Sequence, residues 1–127
     1  MFVTATINQK HYLTSVSTET NSIYADEPEV NGGEDKGFAP QQLLAASLAS
    51  CTAITLRMYS DRKAWNLDEI SVKVELSRNN ETKLSTFNRT IILPSGTPPE
   101  IQSRLTEIAA KCPVHQIMTN PIEILTN

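Results

Sequence analysis

The sequence predicts an α+β domain, with helices lying on mainly antiparallel sheet. Short alternating β-rich runs gather before residue 26 and again between residues 69 and 93, one long uncharged Ala/Leu run lies between them, and a shorter amphipathic run follows. The expected order is β-β-β-α-β-β-α-β, a single domain over residues 1–127 with antiparallel sheets around a long buried central helix. A chain of 127 residues can bury a core without disulfide staples.

Phe2 to Ile7 alternates, Asn8-Gln9-Lys10 offers a turn, and His11 to Thr18 alternates again. Ile23-Tyr24-Ala25 completes a meander and runs into a polar loop, Glu27 to Ala39, with Gly32, Gly33 and Gly37. That loop reads as a lid or as a plain connection, and the acidic stretch from Asp26 to Asp35 as solvated surface without calcium-loop spacing.

Pro40 suits a first helical position, because its missing N–H is needed by no partner there. Strong helix formers follow, and Leu43 to Leu56 holds no charge. Leu44, Leu48, Cys51 and Thr55 share one face, while Leu43, Ala46, Ala53, Ile54 and Met58 cover others, so a helix over Pro40–Lys63 is expected to be buried nearly all round. Cations return in its last turn, where the helix dipole favours them.

Glu69 to Arg78 places Ile70, Val72, Val74 and Leu76 on one face, and the return strand carries Phe87, Arg89, Ile91 and Leu93 on one parity. After Pro94-Ser95-Gly96, Thr97 to Glu100 reads as a capping box. Ile101, Leu105, Ile108, Ala109 and Cys112 then mark the apolar face of a second helix. Val114 to Met118 suits one more helical turn, and Ile122 to Leu125 a last strand.

The balance of 11 Lys+Arg against 14 Asp+Glu, with no basic block, argues against nucleic acid or an anionic membrane surface as partner. No apolar run is read as long enough to span a bilayer, and the N-terminus lacks a signal-peptide pattern, so the expected compartment is the cytoplasm. No phosphate loop, Cys-x-x-Cys, nucleophile elbow or zinc-ligand set occurs, so neither a cofactor nor a metal is expected.

What remains is the pair of cysteines, one on the apolar face of each helix. They read either as core packing or as a redox pair, should the helices bring them together. Cys112 is open to two readings. As the last residue of its helix it meets the negative dipole end; as the N-cap of a turn begun by Pro113 it would be the more acidic thiol, with His115 near enough to act as base or to serve structurally.

Residues 26–63, DEPEVNGGEDKGFAPQQLLAASLASCTAITLRMYSDRK, resemble the OsmC/Ohr family of thiol-dependent peroxidases, and Lys111-Cys112-Pro113-Val114-His115 stands where that family places its second cysteine. The similarity spans nearly the whole chain and is greatest to the OsmC-like branch. It implies an intertwined homodimer in which Cys51 is the peroxidatic thiol, attacking an organic hydroperoxide. Cys112 would be the resolving thiol, and an external dithiol would reduce the resulting disulfide.

The organic-hydroperoxide branch activates its first cysteine with an Arg from the N-terminal strands and a Glu just after the helix-start Pro. Here that second position is Gln41, and residues 1–56 hold no Arg. Lys10 and His11 lie in the corresponding region without matching a motif, and Arg57 is about 240° round the helix from Cys51. Arg89, inward by parity, is the remaining candidate cation. Without peroxidase chemistry, the same fold would bind a small apolar ligand or serve a structural role.

Overall fold

A computed structural model describes residues 1–127, and the chain gathers into two compact units, Met1–Leu44 and Ala45–Asn127. In the first, β1 (Thr4–Thr6), β2 (Thr14–Ser17) and β3 (Ser22–Ala25) form an antiparallel meander in that order. Its register sets Ala5 opposite Val16 and Val16 opposite Ile23.

The loop that follows is built around a buried carboxylate. Asp26 is only 2% exposed. Its Oδ1 accepts the N–H of Glu27 at 2.8 Å, and its Oδ2 those of Glu34 at 3.3 Å and Lys36 at 3.1 Å. The Lys36 bond is the strongest influence on this carboxyl; with the other N–H donors it outweighs burial and holds the group below its ordinary range. The loop is therefore no simple solvated run: Asp26 is its hub. Gly33 is required by the same packing, since a Cβ there would lie 1.9 Å from the Glu27 carbonyl oxygen. A Cβ at Gly37 would lie 2.3 Å from the carbonyl oxygen of Tyr24. A 3-10 turn, Glu29–Asn31, interrupts the loop, and Phe38 bridges back to Ala25.

The long helix α1 covers Pro40–Arg62, close to its expected bounds. It is not buried all round. Leu48, Thr52, Leu56, Tyr59 and Ser60 form its buried stripe, whereas Leu44, Ile54 and Met58 lie open. A single small sheet and a short helix cover one side of such a helix and no more. At 23 residues, with a mean hydropathy of 1.2 over its most apolar window, α1 also reaches the length and apolarity of a membrane span, contrary to the sequence expectation. Its buried stripe packs instead as a core helix does.

In the second unit β4 (Ser71–Arg78) and β5 (Ser85–Ile92) make the expected hairpin, pairing Val72 with Ile91, Val74 with Arg89 and Leu76 with Phe87. The side chain of Asn79 closes its turn by accepting the N–H groups of Glu81 and Thr82. One face of the hairpin meets α1 and α2 (Pro99–Ala109) in a core of Leu56, Tyr59, Leu105, Ile108 and Ala109, flanked by Val72, Ile91 and Leu93. Leu56 and Leu105 are wholly enclosed, a contribution of about 1.5–3 kcal/mol each. Arg57 ties the end of α1 to the next segment, donating to the carbonyls of Leu67 and Asp68.

Two local expectations fail. The capping box does not form: Pro98 takes the N-cap position with no side-chain cap, and Thr97 Oγ1 instead donates to the Pro94 carbonyl at 2.6 Å. Residues 122–125 form no strand, and Ile122, Ile124 and Leu125 are exposed. A strand exists only by pairing, and no other strand of this chain pairs with that segment. The last element is a short helix, α3 (Pro113–Met118), so the observed order is β-β-β-α-β-β-α-α.

Candidate active site

The site is the meeting of α1 with the α2–α3 junction. Helix α2 stops at Ala109, and Pro113 begins α3 because its fixed φ and absent N–H suit a first turn. Cys112 thereby becomes the N-cap residue, extended at φ −63° and ψ 138°, with Sγ accepting the backbone N–H of His115 at 3.3 Å. Of the two sequence readings of Cys112, this is the N-cap one. Its side chain is fully buried.

Cys51 lies on the flank of α1, half-buried, near enough to Cys112 for each thiol to act on the other; both are free. The two environments pull the thiols apart. Burial pushes the Cys51 thiol above its ordinary value; the neighbouring Cys112 sulfur adds to this, and bonds from the Val114 N–H and the Thr55 hydroxyl only partly offset it. At Cys112 burial also pushes upward, but the His115 N–H, the Cys51 thiol, the Thr52 hydroxyl and the Val114 N–H together outweigh it, and this thiol is lowered.

Arg89 points inward, as its parity on β5 requires. Its Nη1 donates to Thr52 Oγ1 and to the Ala109 carbonyl, both at 3.0 Å. Thr52 Oγ1 in turn lies 2.7 Å from the Leu48 carbonyl and 3.8 Å from Cys112 Sγ. No carboxylate pairs with Arg89. The cation thus stands one hydroxyl away from Cys112 rather than beside Cys51.

Of the other expected residues, Gln41, Lys10 and His11 belong to the first unit and His115 to the second. Gln41 is exposed in the first turn of α1, ten residues before Cys51, and it is Gln42 whose side chain accepts the Ala39 N–H at 2.9 Å. Lys10 pairs with Glu34 at 4.0 Å within the first unit, and His11 stacks on Tyr12 there. The His115 side chain lines a cavity of about 310 Å³ with Leu48, Phe87, Arg89 and Met118. A separate cavity of about 480 Å³ is lined by Thr55, Met58, Tyr59, Arg62, Arg104 and Lys111. The helix face shared by Leu44, Leu48 and Thr55 lines no single pocket: Leu48 and Thr55, two turns apart, line different cavities, and Leu44 lines neither. Sequence reasoning missed Thr52. Its signal was a hydroxyl set at i, i+4, i+8 between Leu48 and Leu56, where only a bonded one is tolerated.

A sequence profile of OsmC-like proteins matches residues 33–127. The chain belongs to the OsmC-like family. The fold agrees: a Psychrobacter arcticus 273-4 protein assigned to osmotic stress and detoxification superposes with a TM-score of 0.78 at 23% identity, over 91% of this chain and 85% of that one. An OsmC-like protein of Mycoplasma pneumoniae gives 0.78 at 20% identity, over 92% and 85%. The organic hydroperoxide resistance protein OhrB of Bacillus subtilis gives 0.63 at 20%, over 93% and 89%. No curated protein matches the sequence.

Proposed function

We propose that the protein reduces organic hydroperoxides through its own two thiols. The observation that carries this reading is the pairing of Cys51 with Cys112, two free cysteines delivered by separate helices, each of which acts on the other's thiol. Cys51, the less enclosed sulfur, attacks the distal peroxide oxygen and becomes a sulfenic acid, releasing an alcohol. Cys112 attacks that sulfur, and the intrachain disulfide is later reduced by an external dithiol. The cavity shared by Arg89 and His115, with Leu48, Phe87 and Met118 as its apolar lining, suits an organic peroxide over hydrogen peroxide.

The working form is a homodimer. The open residues Ile54 and Met58 on α1, and the unpaired apolar segment at residues 122–125, are the surfaces that a second copy would cover. Reduced, free thiols fit a cytoplasmic setting.

One observation favours the non-catalytic rival, in which the fold binds an apolar ligand: the Cys51 thiol is raised, and no side-chain cation bonds to it. Paired replacements separate the two readings. Cys51→Ser is expected to abolish peroxide-driven oxidation. Cys112→Ser is expected to leave a Cys51 sulfenic acid that dimedone traps. If neither variant nor wild type is oxidised by excess cumene hydroperoxide, ligand binding is the function.

A further inference from the structure

Cys51 poses a chemical difficulty for the reading above. Only a thiolate attacks a peroxide well, yet burial pushes this thiol above its ordinary value, and neither a carboxylate nor a cation is among the groups that act on it. Besides the Val114 N–H and the Thr55 hydroxyl, the group that acts on it is the second sulfur. Cys112 is linked through Thr52 to the guanidinium of Arg89, which has no carboxylate partner. The charged or titratable groups around Cys112 are Cys51 on α1, Lys111 just before it in the chain, Arg89 on β5 and His115 on α3.

We propose that Arg89, acting through the Thr52 hydroxyl, holds Cys112 as the charged sulfur of the reduced protein, and that Cys112 is the base to which Cys51 gives its proton as it attacks. The proposal rests on the peroxidase reading and gives the second cysteine a role before resolution. Arg89 and Thr52 are positioning residues in it.

The geometry favours this assignment over a direct one. Arg89 spends one nitrogen on both the Ala109 carbonyl, at the end of α2, and Thr52 Oγ1, so it fixes the backbone just before Cys112 and the hydroxyl beside it. With Nη1 donating to its oxygen, Thr52 keeps its own proton free to point at the Leu48 carbonyl or at Cys112 Sγ. A negative sulfur draws that proton; a neutral one leaves it with Leu48. The His115 N–H adds a second donor to the same sulfur. Charge on Cys112 is thus met by two donors and a nearby cation, whereas charge on Cys51 would face Cys112.

The chemistry balances. The Cys51 S–H proton passes to the Cys112 thiolate while the Cys51 sulfur forms a bond to the distal, hydrogen-bearing oxygen. The O–O bond breaks, and the alkoxide leaves with its electron pair and takes a proton from water. Cys51 is then a sulfenic acid, oxidised by two electrons, and Cys112 is a neutral thiol. Cys112 next bonds to the Cys51 sulfur, and the departing hydroxide leaves as water with the Cys112 proton. The same proton is carried in and out of one sulfur.

The test is a titration of thiolate absorbance near 240 nm in the Cys51→Ser protein, which leaves Cys112 as its only thiol. Cys112 is expected to titrate below an ordinary thiol. Adding Thr52→Val should raise its pKa by about one unit, a tenfold loss of thiolate at a fixed pH below both values. Thr52→Ser, which keeps the hydroxyl, should restore it, and Arg89→Lys should fall between. A Cys112 that titrates at or above the ordinary value, or that Thr52→Val and Thr52→Ser move equally, overturns the relay. In the protein with both cysteines, Thr52→Val should shift the pH profile of Cys51 sulfenic acid formation upward by the same amount. An unshifted profile overturns the base role while leaving the peroxidase reading intact. Absence of any Cys51 oxidation overturns the base role together with that reading, even where the titration succeeds.

Discussion

Leu56 and Met58 stand two residues apart on α1 and face opposite fates. Leu56 is 0% exposed, packed among Leu105, Ile108 and the hairpin, whereas Met58 is 68% exposed in the single chain. Leu56→Ala therefore removes side-chain atoms from a closed core and is expected to cost about 2–5 kcal/mol of folding stability, including the cavity it leaves. Met58→Ala removes nothing from that core. In a homodimer covering this face, it instead loses roughly 2 kcal/mol of burial per protomer. A two-fold interface meets each substitution twice, so Kd should weaken by about a thousandfold. Sedimentation over a concentration series reads the second effect, and urea unfolding at one fixed concentration reads the first. A Met58→Ala protein that dimerises like wild type, or a wild type that stays a folded monomer at micromolar concentration, would refute the reasoning about this face.

Other perturbations test other parts of the account. The folded-state carboxyl of Asp26 is held below its unfolded value, chiefly by the Lys36 N–H, so its stabilising effect is complete above about pH 4 and fades as pH falls through the lower folded value. Circular dichroism from pH 6 to pH 2 should show this acid sensitivity in wild type and a flatter, less stable profile for Asp26→Asn; identical profiles would remove Asp26 as hub of the loop. Stopped-flow oxidation of Cys51 should be faster with cumene hydroperoxide than with hydrogen peroxide, by about tenfold or more where apolar burial contributes above 1.4 kcal/mol; equal rates would count against the cavity at Leu48, Phe87 and Met118. Gly33→Ala should disrupt the loop, because its Cβ would strike the Glu27 carbonyl, and limited proteolysis after Glu34 should accelerate; unchanged cleavage would contradict the packing described.

Much of this was legible in residue order, and the misses have physical causes. Period-two alternation announced the hairpin, and it also turned Arg89 inward, since Val72, Val74 and Leu76 left it no other face. The bounds of α1 followed from Pro40 and the returning cations. Its exposure did not, because composition reports what needs cover and not which chain supplies it. The segment at residues 122–125 has strand chemistry but no partner in this chain, and pairing is a property of two segments. Thr97 looked like a cap, yet Pro98 occupied that place and left the hydroxyl to close the preceding turn. Pro113 both ends one helix and begins another, so the role of Cys112 waited on three dimensions. Thr52 stood in plain sight as a hydroxyl among leucines, but its partner Arg89 is 37 residues away.

The central claim is that two thiols on separate helices act as one redox unit. Mass spectrometry of the wild-type protein after one equivalent of cumene hydroperoxide tests it most directly. The account predicts loss of both free thiols, a mass lower by two hydrogens, and a peptide pair joined between Cys51 and Cys112. A protein that keeps both cysteines reduced under excess hydroperoxide, or that accumulates sulfinic acid on Cys51 while Cys112 stays free, would contradict it.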